Sequence, residues 1–125
     1  MSKSILSILI VEDEKVLQDV YQIILSSKGY EVHTANNGLE GLKRLKALRP
    51  DMVLLDIFMP VMDGKEFMRK VDLDDYPNTK IVVYSNLLDS KIEAEMLGLG
   101  AHSFVLKSSL APQDLVALVD QTLYN

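Results

Sequence analysis

An α/β domain with a parallel, doubly wound sheet is the fold class this sequence predicts, on three observations. Four short apolar runs are nearly continuous rather than alternating: Ser7–Val11 (SILIV), 52–55 (MVLL), 80–84 (KIVVY) and Ser103–Leu106 (SFVL). Such runs suit strands covered by helices on both faces. Helical periodicity fills the intervals, so strand and helix alternate along the chain. With 125 residues, 48% of them apolar and 25% charged, the chain is one ordinary domain, large enough for a core and too short for two.

Taken in order, Ser7–Val11 is the first strand. Residues 14–27 are the first helix, with Val16, Val20, Ile23 and Ile24 on one face and Lys28-Gly29 as its stop. Glu31–Ala35 (EVHTA) alternates, as an exposed or edge strand does. Gly38–Leu48 repeats leucine at 39, 42, 45 and 48 and halts before Pro50, because the residue ahead of a proline disfavours helix. The third strand follows at 52–55. Shorter helices at 64–71 and 90–97 flank the fourth strand, 80–84. Ser103–Leu106 is the fifth strand. The last helix, 111–123, carries Leu115, Leu118, Val119 and Thr122 on one side, with Pro112 in its first turn. This alternation implies right-handed crossovers. No linker, internal repeat or low-complexity tail breaks it, so the expectation is a single domain over residues 1–125 without an output domain.

Charge and composition exclude several function classes. A net charge of −5 disfavours nucleic acid or an anionic membrane as the main partner. With no cysteine, disulfides, thiol catalysis and Cys-ligated zinc are out. The apolar run near the N-terminus ends at once on acids, with no small-residue cleavage site, and no stretch is long enough to span a bilayer. The expected location is the cytoplasm.

In an open parallel sheet, ligands bind beyond the carboxyl ends of the strands, near a topological switch point. Glu12 and Asp13 follow the first strand, and Asp56 follows the third. If those strands are neighbours, three carboxylates crowd one region. Two unit charges about 4 Å apart repel by roughly 4 kcal/mol at an effective dielectric near 20. Such a cluster needs a cation or must hold a proton. All-oxygen ligands match a hard ion, Mg²⁺ above all, with Mn²⁺ as a substitute. Lys107, after the fifth strand, reaches the same rim, as do Ser85 and Asn86 after the fourth. A carboxylate beside Mg²⁺, a lysine and a hydroxyl is set up to accept a phosphoryl group, giving an acyl phosphate on an Asp. Taken singly, each residue has a plainer reading. Glu12 or Asp13 serves as a helix cap or first-turn acid, Asp56 as a loop cap, Ser85 as a strand-end hydroxyl and Lys107 as a surface charge. Their coincidence on one rim outweighs those readings.

The motifs ILIVEDE (8–14), LLDIFMPVMDG (54–64), VVYSN (82–86) and GAHSFVLKS (100–108) occur in that order at the ends of the expected strands. Through them the sequence resembles the receiver domain of two-component response regulators, over essentially the whole chain. The resemblance implies a flavodoxin-like three-layer sandwich of five strands, in order 2-1-3-4-5, and five helices. It implies that Asp56 is the phospho-acceptor, and that Asp13, Asp56 and the backbone carbonyl of Phe58 bind Mg²⁺, with Glu12 contributing through a water. Ser85 is the implied switch hydroxyl and Lys107 the partner of the phosphate. Phe104, three residues before Lys107, is the aromatic switch that turns inward when Ser85 moves. The implied donor is a sensor histidine kinase or phosphotransfer protein. Phosphorylation adds about −1.5 to −2 charge. In receivers that change biases the face of the fourth helix, fifth strand and fifth helix, which is expected to meet a downstream effector or a second copy. Such a chain catalyses only its own phosphoryl transfer and dephosphorylation and is not otherwise an enzyme.

Three positions depart from the family pattern. Ser108 stands where a proline is usual. Receivers commonly hold that bond cis, and a cis bond before serine costs roughly 2.5–4 kcal/mol. Asn86 replaces a small residue beside the switch hydroxyl, and Phe104 replaces the more frequent tyrosine. Two other functions compete. A haloacid-dehalogenase-type phosphohydrolase wants a second Asp two residues past the nucleophile, and that place holds Phe58. A receiver-like module that is never phosphorylated usually lacks the acids or the lysine, and all are present. His33 and His102 have no ligand pattern around them and read as surface or structural residues. Asp63 reads as a helix N-cap.

Overall fold

The computed structural model describes residues 5–124, so the expected bounds of 1–125 reach past it at both ends. The continuous apolar runs become a five-stranded parallel sheet of β1 (Ser7–Val11), β2 (Glu31–Ala35), β3 (Met52–Asp56), β4 (Lys80–Ser85) and β5 (Ser103–Leu106). The strand order is β2-β1-β3-β4-β5, the flavodoxin-like order expected. Every residue of β1 and β3 is buried, whereas the edge strands β2 and β5 are partly uncovered. The registers Val11↔Leu55, Asp56↔Tyr84 and Ser85↔Leu106 bring the carboxyl ends of β1, β3, β4 and β5 level along one rim.

Five helices cover the sheet: α1 (Lys15–Ser26), α2 (Gly38–Leu48), α3 (Gly64–Lys70), α4 (Ser90–Gly98) and α5 (Pro112–Tyr124). Strand side chains alternate between faces, so each face has its own core. Leu9, Val11, Val53, Leu55, Ile81 and Val83 pack with Leu45, Phe67, Met68 and Met96 of α2, α3 and α4. Ile8, Ile10, Met52, Leu54, Val82 and Tyr84 pack with Tyr21, Leu25, Leu115 and Val119 of α1 and α5. The fifth helix buries Leu115, Val119 and Thr122 with Leu118 partly covered, as its periodicity predicts. Asp63 does cap α3, accepting the Glu66 N–H at 2.9 Å. No helix among the described residues is long and apolar enough to cross a membrane.

The first helix corrects the sequence reading. Val16 is 76% exposed, Ile23 70% and Val20 42%, so much of the apolar face faces solvent. The helix instead buries Gln18, Tyr21 and Leu25. The physical reason is Gln18: its amide donates to the Glu12 carbonyl and, at 2.8 Å, to Asn36 Oδ1. A glutamine so satisfied is tolerated inside, and it fixes α1 against the ends of β1 and β2. Smaller differences lie at the strand ends. Asp56 and Ser85 are the last residues of β3 and β4 rather than the first beyond them.

Candidate functional site

A parallel sheet sends every strand toward the same rim, and the side chains there are fixed by what buries them. Glu12, just past β1, is fully buried. Its Oε2 accepts the Glu14 N–H at 3.1 Å, while Oε1 accepts the Tyr84 hydroxyl at 2.5 Å and the Lys107 ammonium at 2.8 Å. Burial alone would raise the Glu12 pKa. The bonds from Lys107, Tyr84 and Glu14 outweigh it and hold the carboxyl below its ordinary value.

Asp56 ends β3 and is also buried. Its Oδ2 lies 3.2 Å from Lys107 Nζ. Burial, helped by the negative charge of Glu12 and opposed by Lys107, pushes its pKa up to about 7. Asp13 is exposed, and its pKa is raised by desolvation and by Glu12. Carboxylate oxygens of Glu12, Asp13 and Asp56 all lie within 4.8 Å of one another. This all-oxygen donor set suits a hard divalent ion, whose charge would offset both the burial of Asp56 and its repulsion by Glu12.

Lys107 leaves β5 with its side chain largely buried between the two acids. Its pKa is raised, the bond to Glu12 and the charge of Asp56 outweighing desolvation. Residues Lys107–Ser109 form a single 3₁₀ turn, and no peptide bond among the described residues is cis. Serine at 108 therefore meets the rim on an ordinary trans bond.

The chain folds back after β3 in two tight steps. Val61 has φ 68° and sits inside a three-residue turn closed by Met62 N–H to Pro60 O at 2.8 Å. A γ-turn with positive φ is the rare, strained hand, and valine is badly suited to it. Gly64 N–H then bonds the Ile57 carbonyl at 2.8 Å. A Cβ on Gly64 would stand 2.4 Å from the Asp56 carbonyl oxygen and 2.8 Å from Ile57 Cα. Only glycine lets α3 start that close to the Asp56 backbone. Phe58 lies within this loop, its side chain exposed.

Ser85 is buried at the end of β4, its Oγ accepting the Leu87 N–H at 3.1 Å. Phe104 pairs in register with Val83 and packs, half-buried, against the cluster under α4. By strand alternation Ser85 and Phe104 share that sheet face. The structure thus gathers Glu12, Asp13, Asp56 and Lys107 into one cluster, with Ser85 at a neighbouring strand end and Phe104 two residues further back along the sheet. Asn86 is exposed and, with Leu17, Tyr21, Lys107 and Leu110, lines a groove of about 320 Å³ between α1 and the β5–α5 connection. Two contributors were missed in the sequence, Tyr84 and Gln18. The available signal for Tyr84 was a phenol in an otherwise aliphatic strand core, since a buried hydroxyl must find a partner.

Comparison with known proteins agrees with this fold. Residues 8–120 match the family described as response regulator receiver domain. The chain is 36% identical over 101 residues to the chemotaxis protein CheY of Thermotoga maritima, covering 80% of this chain and 83% of that protein. It is 38% identical over 107 residues to a protein-glutamate methylesterase/protein-glutamine glutaminase of Bacillus licheniformis, covering 82% of this chain and 29% of that longer protein. A CheY-like response regulator receiver domain protein from Methanospirillum hungatei has a solved structure that matches with a TM-score of 0.89 at 29% identity, over 97% of this chain and 95% of that one. Fold, rim and similarity converge: the chain belongs to the receiver domain family of two-component response regulators.

Proposed function

We propose that this domain is a phospho-accepting switch of the cytoplasm, taking a phosphoryl group on Asp56 from a sensor histidine kinase or a phosphotransfer protein. The observation that carries the reading is the convergence of the Glu12, Asp13 and Asp56 carboxylates with the Lys107 ammonium on one rim. Asp56, Asp13 and the Phe58 carbonyl would hold Mg²⁺, with Glu12 assisting through a water. When bound, the ion supplies positive charge against the transferring oxygens.

The chain's own residues do the rest. Ionised Asp56 attacks phosphorus. The new O–P bond forms as the donor's P–N bond breaks, and that electron pair stays on the donor imidazole. Lys107, already beside Oδ2, favours the ionised acid and then the phosphoryl oxygens. Ser85 turns its hydroxyl from Leu87 toward the same oxygens, and Phe104 follows inward on the shared face. The surface of α4, β5 and α5 changes as a result and meets an effector protein or a second copy, or the phosphoryl group is relayed onward. No outside substrate is turned over, because the acid such a hydrolase needs two residues past Asp56 is Phe58.

Intact mass spectrometry after incubation with acetyl phosphate and Mg²⁺ tests this. One acid- and base-labile phosphoryl adduct is expected, absent with EDTA and absent in Asp56→Ala. An adduct unchanged in Asp56→Ala would overturn the assignment. No adduct under any condition would favour the never-phosphorylated module, and steady hydrolysis of an unrelated phosphate ester would favour the hydrolase.

A further inference from the structure

The core stretch of β4 is aliphatic until Tyr84, which has no exposed surface. A buried phenol needs a hydrogen-bond partner, and this one finds it across the sheet. Strand β3 lies between β1 and β4, yet the Tyr84 hydroxyl reaches Glu12 Oε1 at 2.5 Å. Lys107 donates to that same oxygen at 2.8 Å and stands 4.8 Å from the centre of the Tyr84 ring. Tyr21 lies beside the ring, with centroids 6.2 Å apart and the ring planes at 45°.

This arrangement matters when Lys107 is needed elsewhere. Lys107 is shared between Glu12 at 2.8 Å and Asp56 at 3.2 Å. Were it the only donor to Oε1, its departure would leave a fully buried carboxylate oxygen bare, which is costly. Tyr84 is the donor that stays. Its ring also gives the moving ammonium an attractive surface through its π-electrons. An aliphatic residue at this position would supply neither.

We infer that Tyr84 is a positioning residue for the carboxylate cluster: its hydroxyl anchors Glu12, so that Lys107 is free to leave Glu12 for the oxygens carried on Asp56. The inference rests on the reading of Asp56 as acceptor and of Glu12 as part of the metal site.

The test is a double-mutant cycle in the full chain, with Tyr84→Phe, Glu12→Gln and the pair. Mg²⁺ affinity is measured by calorimetry, and then the affinity for beryllofluoride, a phosphoryl mimic, in saturating Mg²⁺. Tyr84→Phe is expected to weaken Mg²⁺ binding about threefold and beryllofluoride binding about tenfold or more, the scale of a lost hydrogen bond to a charged group. In the Glu12→Gln background the same change should matter less than about twofold, because Tyr84 acts through Glu12. Affinities of Tyr84→Phe within about twofold of wild type for both ligands would overturn the proposal. So would an undiminished effect in the Glu12→Gln background. A measurement on the unmutated chain guards against a variant that folds poorly. The Tyr84 hydroxyl proton, protected from exchange, should persist in NMR spectra when beryllofluoride is bound, and its loss would mean that Tyr84 releases Glu12 together with Lys107. Wild type that binds Mg²⁺ but not beryllofluoride would count against Asp56 as acceptor, while the Mg²⁺ arm of the cycle still decides the role of Tyr84.

Discussion

Lys107 Nζ stands 3.2 Å from Oδ2 of Asp56 and 2.8 Å from Oε1 of Glu12, between two buried acids. Removing one partner of a buried ion pair leaves the other charge uncompensated, at a cost of about 3–5 kcal/mol. Lys107→Ala is therefore expected to lose about 3 kcal/mol of stability in EDTA, read by urea denaturation. Millimolar Mg²⁺ should restore part of that loss. A variant as stable as wild type in EDTA would mean that the acids are neutralised some other way.

Asp56 gives the metal-free domain a pH dependence of definite sign. Its pKa is raised to about 7, chiefly by burial and then by Glu12, with Lys107 opposing. A carboxyl raised on folding contributes stability that is fully present below its unfolded pKa near 4 and is lost as pH climbs through 7. Wild type in EDTA should therefore weaken from about pH 4 to pH 7 and level off above that, while Asp56→Asn stays nearly flat from about pH 4 to pH 8. The variant should be more stable at pH 8 by about 2–4 kcal/mol. Thermal or urea melts across that range decide it, and a flat wild-type profile would contradict the prediction.

Gly64→Ala should damage both stability and the acceptor loop. The added carbon would meet the Asp56 carbonyl at 2.4 Å and Ile57 Cα at 2.8 Å, both backbone atoms that cannot swing aside. Overpacking of this kind costs about 1–3 kcal/mol. Denaturant melts should show a loss at the upper end, accompanied by a weaker response to Mg²⁺.

Val61→Gly should do the opposite. Its φ of 68° is strained for a β-branched residue, and the side chain is 77% exposed, so little packing is given up. Relief of such strain, less the entropy glycine loses on folding, is expected to leave a gain of about 1 kcal/mol. A melting temperature lowered by the change would show that the loop is not strained at this residue.

Much of the site was legible because parallel topology converts strand endings into neighbours. Glu12, Asp13, Asp56 and Lys107 could be assigned to one rim from where apolar runs stop, without any distance. Tyr84 could not, because its partner is 72 residues away and alternation says only which face a residue joins. The rotation of α1 was hidden for a related reason. Hydrophobicity places Val16, Val20 and Ile23 inside, but the hydrogen bonds that Gln18 makes at the ends of β1 and β2 decide which face turns inward. Val61 carries no marker at all, since left-handed backbone is normally announced by glycine or asparagine.

Tyr84 and Ser85 are consecutive residues on opposite faces of the sheet, Tyr84 in the core under α1 and α5, Ser85 on the face that Phe104 shares. In the proposed switch, a change at Asp56 would therefore reach both helical layers through a single peptide unit. Coupling between sites is reciprocal, so in the proposed switch a partner that bound one layer more tightly after phosphorylation would in turn favour the phosphorylated state of Asp56. A switch built this way would work as a two-way valve, set from its back by a docked partner as much as from its rim by a phosphoryl donor.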